Sequence, residues 1–192
     1  MGILSSRVEF SKNSKIILFV LFAIFLISMP RYEPYLEHNT TSHSILNSIF
    51  NLYFFIFNQT LGIVHEAGHG VCYILSCPKF ITVLNGTLFQ LLFPLGVALY
   101  YKYKGNRFGF LIGVFFFGFS LSYTAWYIST CNMGAVVPAN RSFLGQEGYH
   151  DFYYILSAIG VLKYYGAISI FVKILAYLIM AGSVIVMFIE AL

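Results

Sequence analysis

Apolar residues fall in stretches at about 16–29, 45–77, 80–101, 107–130, 152–162 and 166–190, with short polar segments between them. A bilayer's hydrocarbon core takes about 20 apolar residues per helical crossing. The pattern therefore predicts an all-α, polytopic integral membrane helix bundle of five to six transmembrane helices. The stretch 45–77 is too long for one ordinary crossing and carries Asn47, Asn51, Asn58 and Gln59 in its first half, so a break is expected near Asn58-Gln59. Charge bears on the same point. Arg7, Lys12 and Lys15 precede the first stretch, while Lys102, Lys104 and Arg107 flank the turn after residue 101. The positive-inside rule puts both clusters, and with them the N-terminus, in the cytoplasm. An even number of crossings must then separate them, so residues 45–77 are expected either to cross twice or to include a re-entrant segment shielded by protein.

Composition agrees with a membrane protein and excludes several other classes. Of 192 residues, 59% are hydrophobic and 9% charged, against roughly 25% charged in a soluble domain. The net charge of +4 comes from Lys and Arg at the ends of apolar stretches, where they orient helices, and not from a basic face that would bind nucleic acid. Cys72, Cys77 and Cys131 show no CxxC spacing, which supports neither a disulfide framework nor a cysteine zinc knuckle. Ser28-Met29-Pro30 lacks an A-x-A cleavage site, so residues 16–29 read as a retained signal-anchor span. Tyr100, Tyr101, Tyr103, Trp126, Tyr127, Tyr164 and Tyr165 lie near the ends of stretches and read as interfacial anchors. Residues 131–150 read as an extramembrane loop within a single transmembrane domain, their Asn132, Gly134, Pro138, Asn140, Gly145 and Gly148 marking turns.

The candidate chemistry is concentrated at His65-Glu66-Ala67-Gly68-His69, an HExxH motif inside an apolar helical run. Residues four apart share a helix face, so two imidazoles can hold one metal ion while the Glu between them stands beside the metal-bound water as general base. Ionisable groups at membrane depth cost roughly 2.5–3.5 kcal/mol each, and a metal ion is the compensating partner expected here. A catalytic zinc site takes a third protein ligand. His38 and His43 read as solvated loop residues, and Cys72, one turn beyond His69, reads as a packing residue. His150 and Asp151 are the better candidates, Asp151 being the sole Asp of the chain. Asp151 could equally cap the helix that follows, or the pair could divide ligand and orienting roles between them. Gly86, Gln90 and Pro94 align on one face of the next span. Pro94 cannot donate to the Gln90 carbonyl, which leaves a kink and a free acceptor. Asn85 and Gln90 are candidates for binding a substrate backbone; the alternative reading of Gln90 is interhelical packing glue.

The HEAGH helix, the segment Asn85-Gly86-Thr87-Leu88-Phe89-Gln90-Leu91-Leu92-Phe93-Pro94 and the later His150-Asp151-Phe152-Tyr153-Tyr154 together resemble small bacterial membrane proteins related to the site-2 protease (M50-like) zinc metallopeptidases. That group's order is HEAGH, GGxxxQxxxP and HDWxYxL, and the similarity covers about residues 60–165. It implies a metallopeptidase-like core in a bacterial inner (cytoplasmic) membrane, with Zn2+ as cofactor, His65 and His69 as ligands, Glu66 as base and the His150-Asp151 pair completing the site. The chain departs from the pattern in three places. Thr130-Cys131 stands where the group has Asp-Ala, Phe152 replaces Trp, and the LDG-type motif that supplies the third ligand in site-2 proteases is absent.

The expected function is hydrolysis of a peptide bond in a membrane-embedded protein segment by a zinc-activated water, so the expected partners are the lipid bilayer and a membrane-protein substrate. One alternative is a non-enzymatic, zinc-stabilised membrane scaffold or assembly factor. The other is a metal or solute transporter, disfavoured by the absence of paired broken helices in matching halves.

Overall fold

The computed structural model describes residues 9–31, 45–137 and 148–192. Six α-helices make up nearly all of it: α1 (Lys12–Ser28), α2 (Ile45–Ile74), α3 (Lys79–Tyr103), α4 (Arg107–Ser129), α5 (Asp151–Ala158) and α6 (Tyr165–Ala191). Local chemistry sets several boundaries. Ser11 Oγ accepts from the Ser14 N–H at 3.2 Å to begin α1, and Asn106 Oδ1 accepts from the Gly109 N–H at 2.8 Å to begin α4, both satisfying amides that helix starts leave unpaired. A two-residue antiparallel pairing of β1 (Val136–Val137) with β2 (Gly148–Tyr149) puts Val136 opposite Tyr149 and Val137 opposite Gly148. This pairing, unforeseen in the sequence, returns the chain to the bundle where α5 begins.

Contacts give each helix its direction. On α4, Ser169 Oγ of α6 donates to the Ala125 carbonyl and Ser183 Oγ to the Leu111 carbonyl, each at 2.7 Å, so α4 and α6 are antiparallel. Gln90 meets Ser120 and Ala98 meets Gly113, making α3 antiparallel to α4. His65 meets Gln90 while His69 meets Thr82, making α2 antiparallel to α3. Along α1, Phe10 packs on Phe108, Phe22 on Phe115 and Phe25 on Phe119, so α1 and α4 run the same way. Gly113 sets the α3–α4 distance, because a Cβ there would lie 2.6 Å from the Ala98 backbone. Phe22, Phe25, Phe115, Phe119, Met180 and Met187 fill the core between α1, α4 and α6.

Among the described residues, three helical segments are long and apolar enough to cross a membrane: Lys79–Tyr103, Arg107–Met133 and Leu162–Ala191. Five to six crossings are thus not supported among the described residues. With 17 residues, α1 extends only about 25 Å at 1.5 Å per residue, short of the roughly 30 Å hydrocarbon core. The 30 residues of α2 carry the polar groups of the candidate site. Nor does α2 break at Asn58-Gln59, since it is one continuous helix from Ile45 to Ile74; Asn58, which suggested the break, is instead buried within the helix packing at 3% exposed.

The described residues of both basic clusters do lie at one end of the bundle, Arg7 falling outside the described residues. Lys12 Nζ donates to the Leu192 carbonyl at 2.8 Å, and Arg107 pairs with Glu190 at 3.0 Å. The route to this placement differs from the expected double crossing. It follows from α1 leaving the basic end and α3 returning to it, with α2 parallel to α1. Large apolar side chains such as Ile27, Ile63, Leu178 and Phe171 stay exposed on the outside, as on a protein surrounded by lipid.

Candidate metal centre

The HExxH motif occupies the last third of α2, where it packs against the first turns of α3. Asn85 Nδ2 donates to the Gly68 carbonyl at 2.7 Å and ties the two helices together. Gly86 then faces both imidazoles. A Cβ at that position would sit 2.5 Å from His69 Nε2 and 2.8 Å from His65 Nε2, so any side chain would fill the space the two nitrogens share.

Each imidazole is oriented by a bond at its other nitrogen. His69 Nδ1–H donates to the Thr82 carbonyl at 2.8 Å, and because a carbonyl only accepts, Nε2 is left with its lone pair. His65 Nδ1 lies 3.2 Å from Gln90 Oε1, which likewise assigns the proton to Nδ1. Gln90 is held in turn: its Nε2 donates to the Ser120 carbonyl and hydroxyl at 3.2 and 3.1 Å. Ser120 Oγ donates at 3.0 Å to the Gln90 carbonyl, the acceptor that Pro94 leaves free. The proline therefore acts on the site through a hydroxyl from α4. Gln90 is 2% exposed with both ends of its amide engaged, which suits it to orienting His65; Asn85 spends its amide N–H on α2.

Of the two candidates for a third ligand, the structure brings Asp151 to the imidazoles. Asp151 Oδ2 lies 2.8 Å from His65 Nε2 and 3.3 Å from His69 Nε2, and the two Nε2 atoms are 3.1 Å apart. In a tetrahedral zinc site with metal–ligand bonds of 2.0–2.1 Å, ligand atoms stand about 3.3 Å from one another. The three atoms thus have nearly the separations that a tetrahedral ion requires. The three atoms face one point, and the group could hold a metal ion. Among the described residues, His65, His69 and Asp151 are the one group of three His, Cys, Asp or Glu residues so disposed.

His150 is turned elsewhere. Its Nδ1 accepts from the Tyr153 N–H at 3.3 Å and Nε2 donates to Thr130 Oγ1 at 3.0 Å, while the ring stacks on Tyr127 at 4.5 Å. Burial pushes its imidazolium down to about 4, so it serves as a neutral imidazole. The cap of α5 is therefore His150, not Asp151, and by starting the helix one residue earlier it aims Asp151 at α2. Thr130, which departs from the resembling group's pattern, is the residue that receives it.

Glu66 is half-buried beside the group, with no hydrogen bond or ion pair to another described residue, and close enough to act electrostatically on His69 and Tyr127. Tyr127 corrects an expectation. It is 9% exposed and its hydroxyl accepts from the Asp151 N–H at 3.3 Å, so it supports the site and is not an interfacial anchor. Thr82, Ser120 and Thr130 also escaped the sequence reading; only Ser120 had a signal, the donor demanded by the carbonyl that Pro94 frees. Cys72 lies beside Cys77 and Thr82, outside the group, and His38 and His43 fall outside the described residues.

Comparison with protein-family models, curated proteins and solved structures finds no match, so the functional reading rests on these residues.

Proposed function

We propose that the chain is an intramembrane zinc metallopeptidase that hydrolyses a peptide bond of a membrane-embedded protein segment. One observation carries this reading: two imidazole nitrogens and a carboxylate oxygen with near-tetrahedral spacing, next to a glutamate left without a partner among the described residues. A scaffold needs the first feature but has no use for the second. The resemblance to site-2 protease relatives points the same way.

In this reading His65, His69 and Asp151 hold the ion. Bound zinc would lower the pKa of a coordinated water towards about 7 and polarise the scissile carbonyl. Glu66 takes the proton from the attacking water and delivers it to the leaving amine nitrogen, so one carboxylate serves as base and then acid. Thr82 and Gln90 keep the imidazoles in the ligating tautomer. A helical substrate presents its carbonyls to its own amides, so it must unwind before its backbone can be attacked. The N-terminus and basic end lie in the cytoplasm of a bacterial inner membrane, α1 and α2 lie in the bilayer beside the three crossing helices, and the site is nearer the opposite surface.

Proteoliposomes holding the protein and a set of fluorescent bilayer-spanning peptides test the proposal. Wild type is expected to cleave at least one, and Glu66→Gln to lower the rate by about 10²–10⁴-fold, the usual contribution of a general base, while retaining the metal. Equal cleavage by Glu66→Gln would overturn the mechanism.

A further inference from the structure

A second polar site lies outside the candidate metal centre. Between the end of α1, α2, α4 and α6 is a cavity of about 260 Å³ whose walls include Ser122, Trp126, Ser129, Lys173 and Tyr177. Adjoining it is an almost wholly apolar groove of about 440 Å³ lined by Leu26, Ile174, Leu178 and Ala181. Ile170, Lys173 and Tyr177 border both.

Lys173 has no obvious reason to be where it is. It lies within the membrane-spanning segment of α6, and a cation there is costly unless it meets an anion or reaches the interface. Among the described residues Lys173, Tyr177 and Ser122 have no hydrogen-bond or ion-pair partner; Lys173 is exposed and the other two are half-buried, so three donors of one cavity wall stand open together to a ligand. Long side chains on a helix lean towards its N-terminus. The Lys173 ammonium therefore lies nearer the end of the bundle where α4 stops at Ser129 and α1 gives way to Met29 and Pro30. The polar cavity is at the membrane-surface end, and the apolar groove runs from it towards the bilayer middle. From Ile170 to Ala181 the groove follows α6 for about 16 Å at 1.5 Å per residue, close to the roughly 15 Å depth of one leaflet's hydrocarbon.

We infer that this face binds an anionic phospholipid of the leaflet opposite the basic end, its phosphate among Lys173, Tyr177 and Ser122 and one acyl chain along Leu26, Ile174, Leu178 and Ala181. A donor-rich pocket with a single positive charge fits a phosphate, and an adjoining apolar groove of leaflet depth fits the attached chain. This site does not depend on the metal.

Native mass spectrometry of the detergent-purified full chain tests it, with phosphatidylglycerol, phosphatidylcholine and inorganic phosphate as separate probes. Phosphatidylglycerol is expected to bind more tightly than phosphatidylcholine. Lys173→Met should weaken it by about fivefold, the worth of one basic residue near an anionic lipid, and Lys163→Met, whose ammonium sits over Tyr164 outside the cavity, should not. Ala181→Phe, which fills the groove and leaves the charge intact, should also expel the lipid, and keeps the test open if Lys173→Met does not fold. Equal binding of the two lipids, unchanged phosphatidylglycerol binding by Lys173→Met and Ala181→Phe, or inorganic phosphate binding as tightly as the lipid would each overturn the inference.

Discussion

The two sides of α4 are built on different principles. Towards α1 and α6 the interface is aromatic and aliphatic, with Phe22, Phe25, Phe115, Phe119 and Met180 all buried. Towards α2, α3 and α5 apolar packing, with Ile128, Phe152, Ile155 and Leu156 buried, is joined by a chain of polar contacts through Ser120, Gln90, His65, Asp151 and Tyr127. Packing of the first kind spreads its energy over many small contacts, so a loss in one place is a loss of stability. The polar side concentrates it in a few atoms whose positions depend on one another, so a loss there changes what the site can hold. One side makes a bundle and the other makes a site.

Substitutions on each side should separate stability from metal binding. The largest effect is expected at Gly86→Ala, whose methyl would fall between the imidazole nitrogens; stoichiometric zinc should be lost by elemental analysis while the helical circular dichroism is kept. Phe115→Ala, removing a fully buried ring from the other side, should cost about 3 kcal/mol in chemical denaturation and leave zinc content unchanged. Ser120→Ala uncouples Gln90 from α4, and a zinc affinity lowered by about 10- to 100-fold in chelator competition is expected of a residue that orients a ligand's partner. Smallest is Ser183→Ala, which removes one interhelical bond and should cost about 0.6 kcal/mol with no effect on metal. Loss of zinc from Phe115→Ala at a temperature where it remains folded would show that the two sides are not separable.

The sequence carried the helical class, because apolar stretches near bilayer length admit few other structures, and it carried His65, Glu66 and His69, because a four-residue spacing fixes a shared face. It also showed that Pro94 frees the Gln90 carbonyl, though not that Ser120 would take it, since that contact joins residues 30 apart. The choice between His150 and Asp151 was not legible. Two adjacent residues at a helix start point in different directions, and which one turns inward depends on the Tyr127 ring of α4 and the Thr130 hydroxyl just beyond its end. Tyr127 was misread for a related reason: an aromatic at the end of an apolar stretch looks the same whether it meets lipid headgroups or a buried imidazole. The continuity of α2 was hidden because Asn58 and Gln59 suggested a break, while one continuous helix carries both.

Zinc content of detergent-purified protein, compared among wild type, His65→Ala, Asp151→Ala and His150→Asn, tests the central claim most directly, the last substitution retaining a residue suited to the helix cap. The arrangement of His65, His69 and Asp151 predicts stoichiometric zinc in wild type and in His150→Asn, and its loss from His65→Ala and Asp151→Ala. Wild type without bound metal, or zinc kept by Asp151→Ala and lost by His150→Asn, would contradict it.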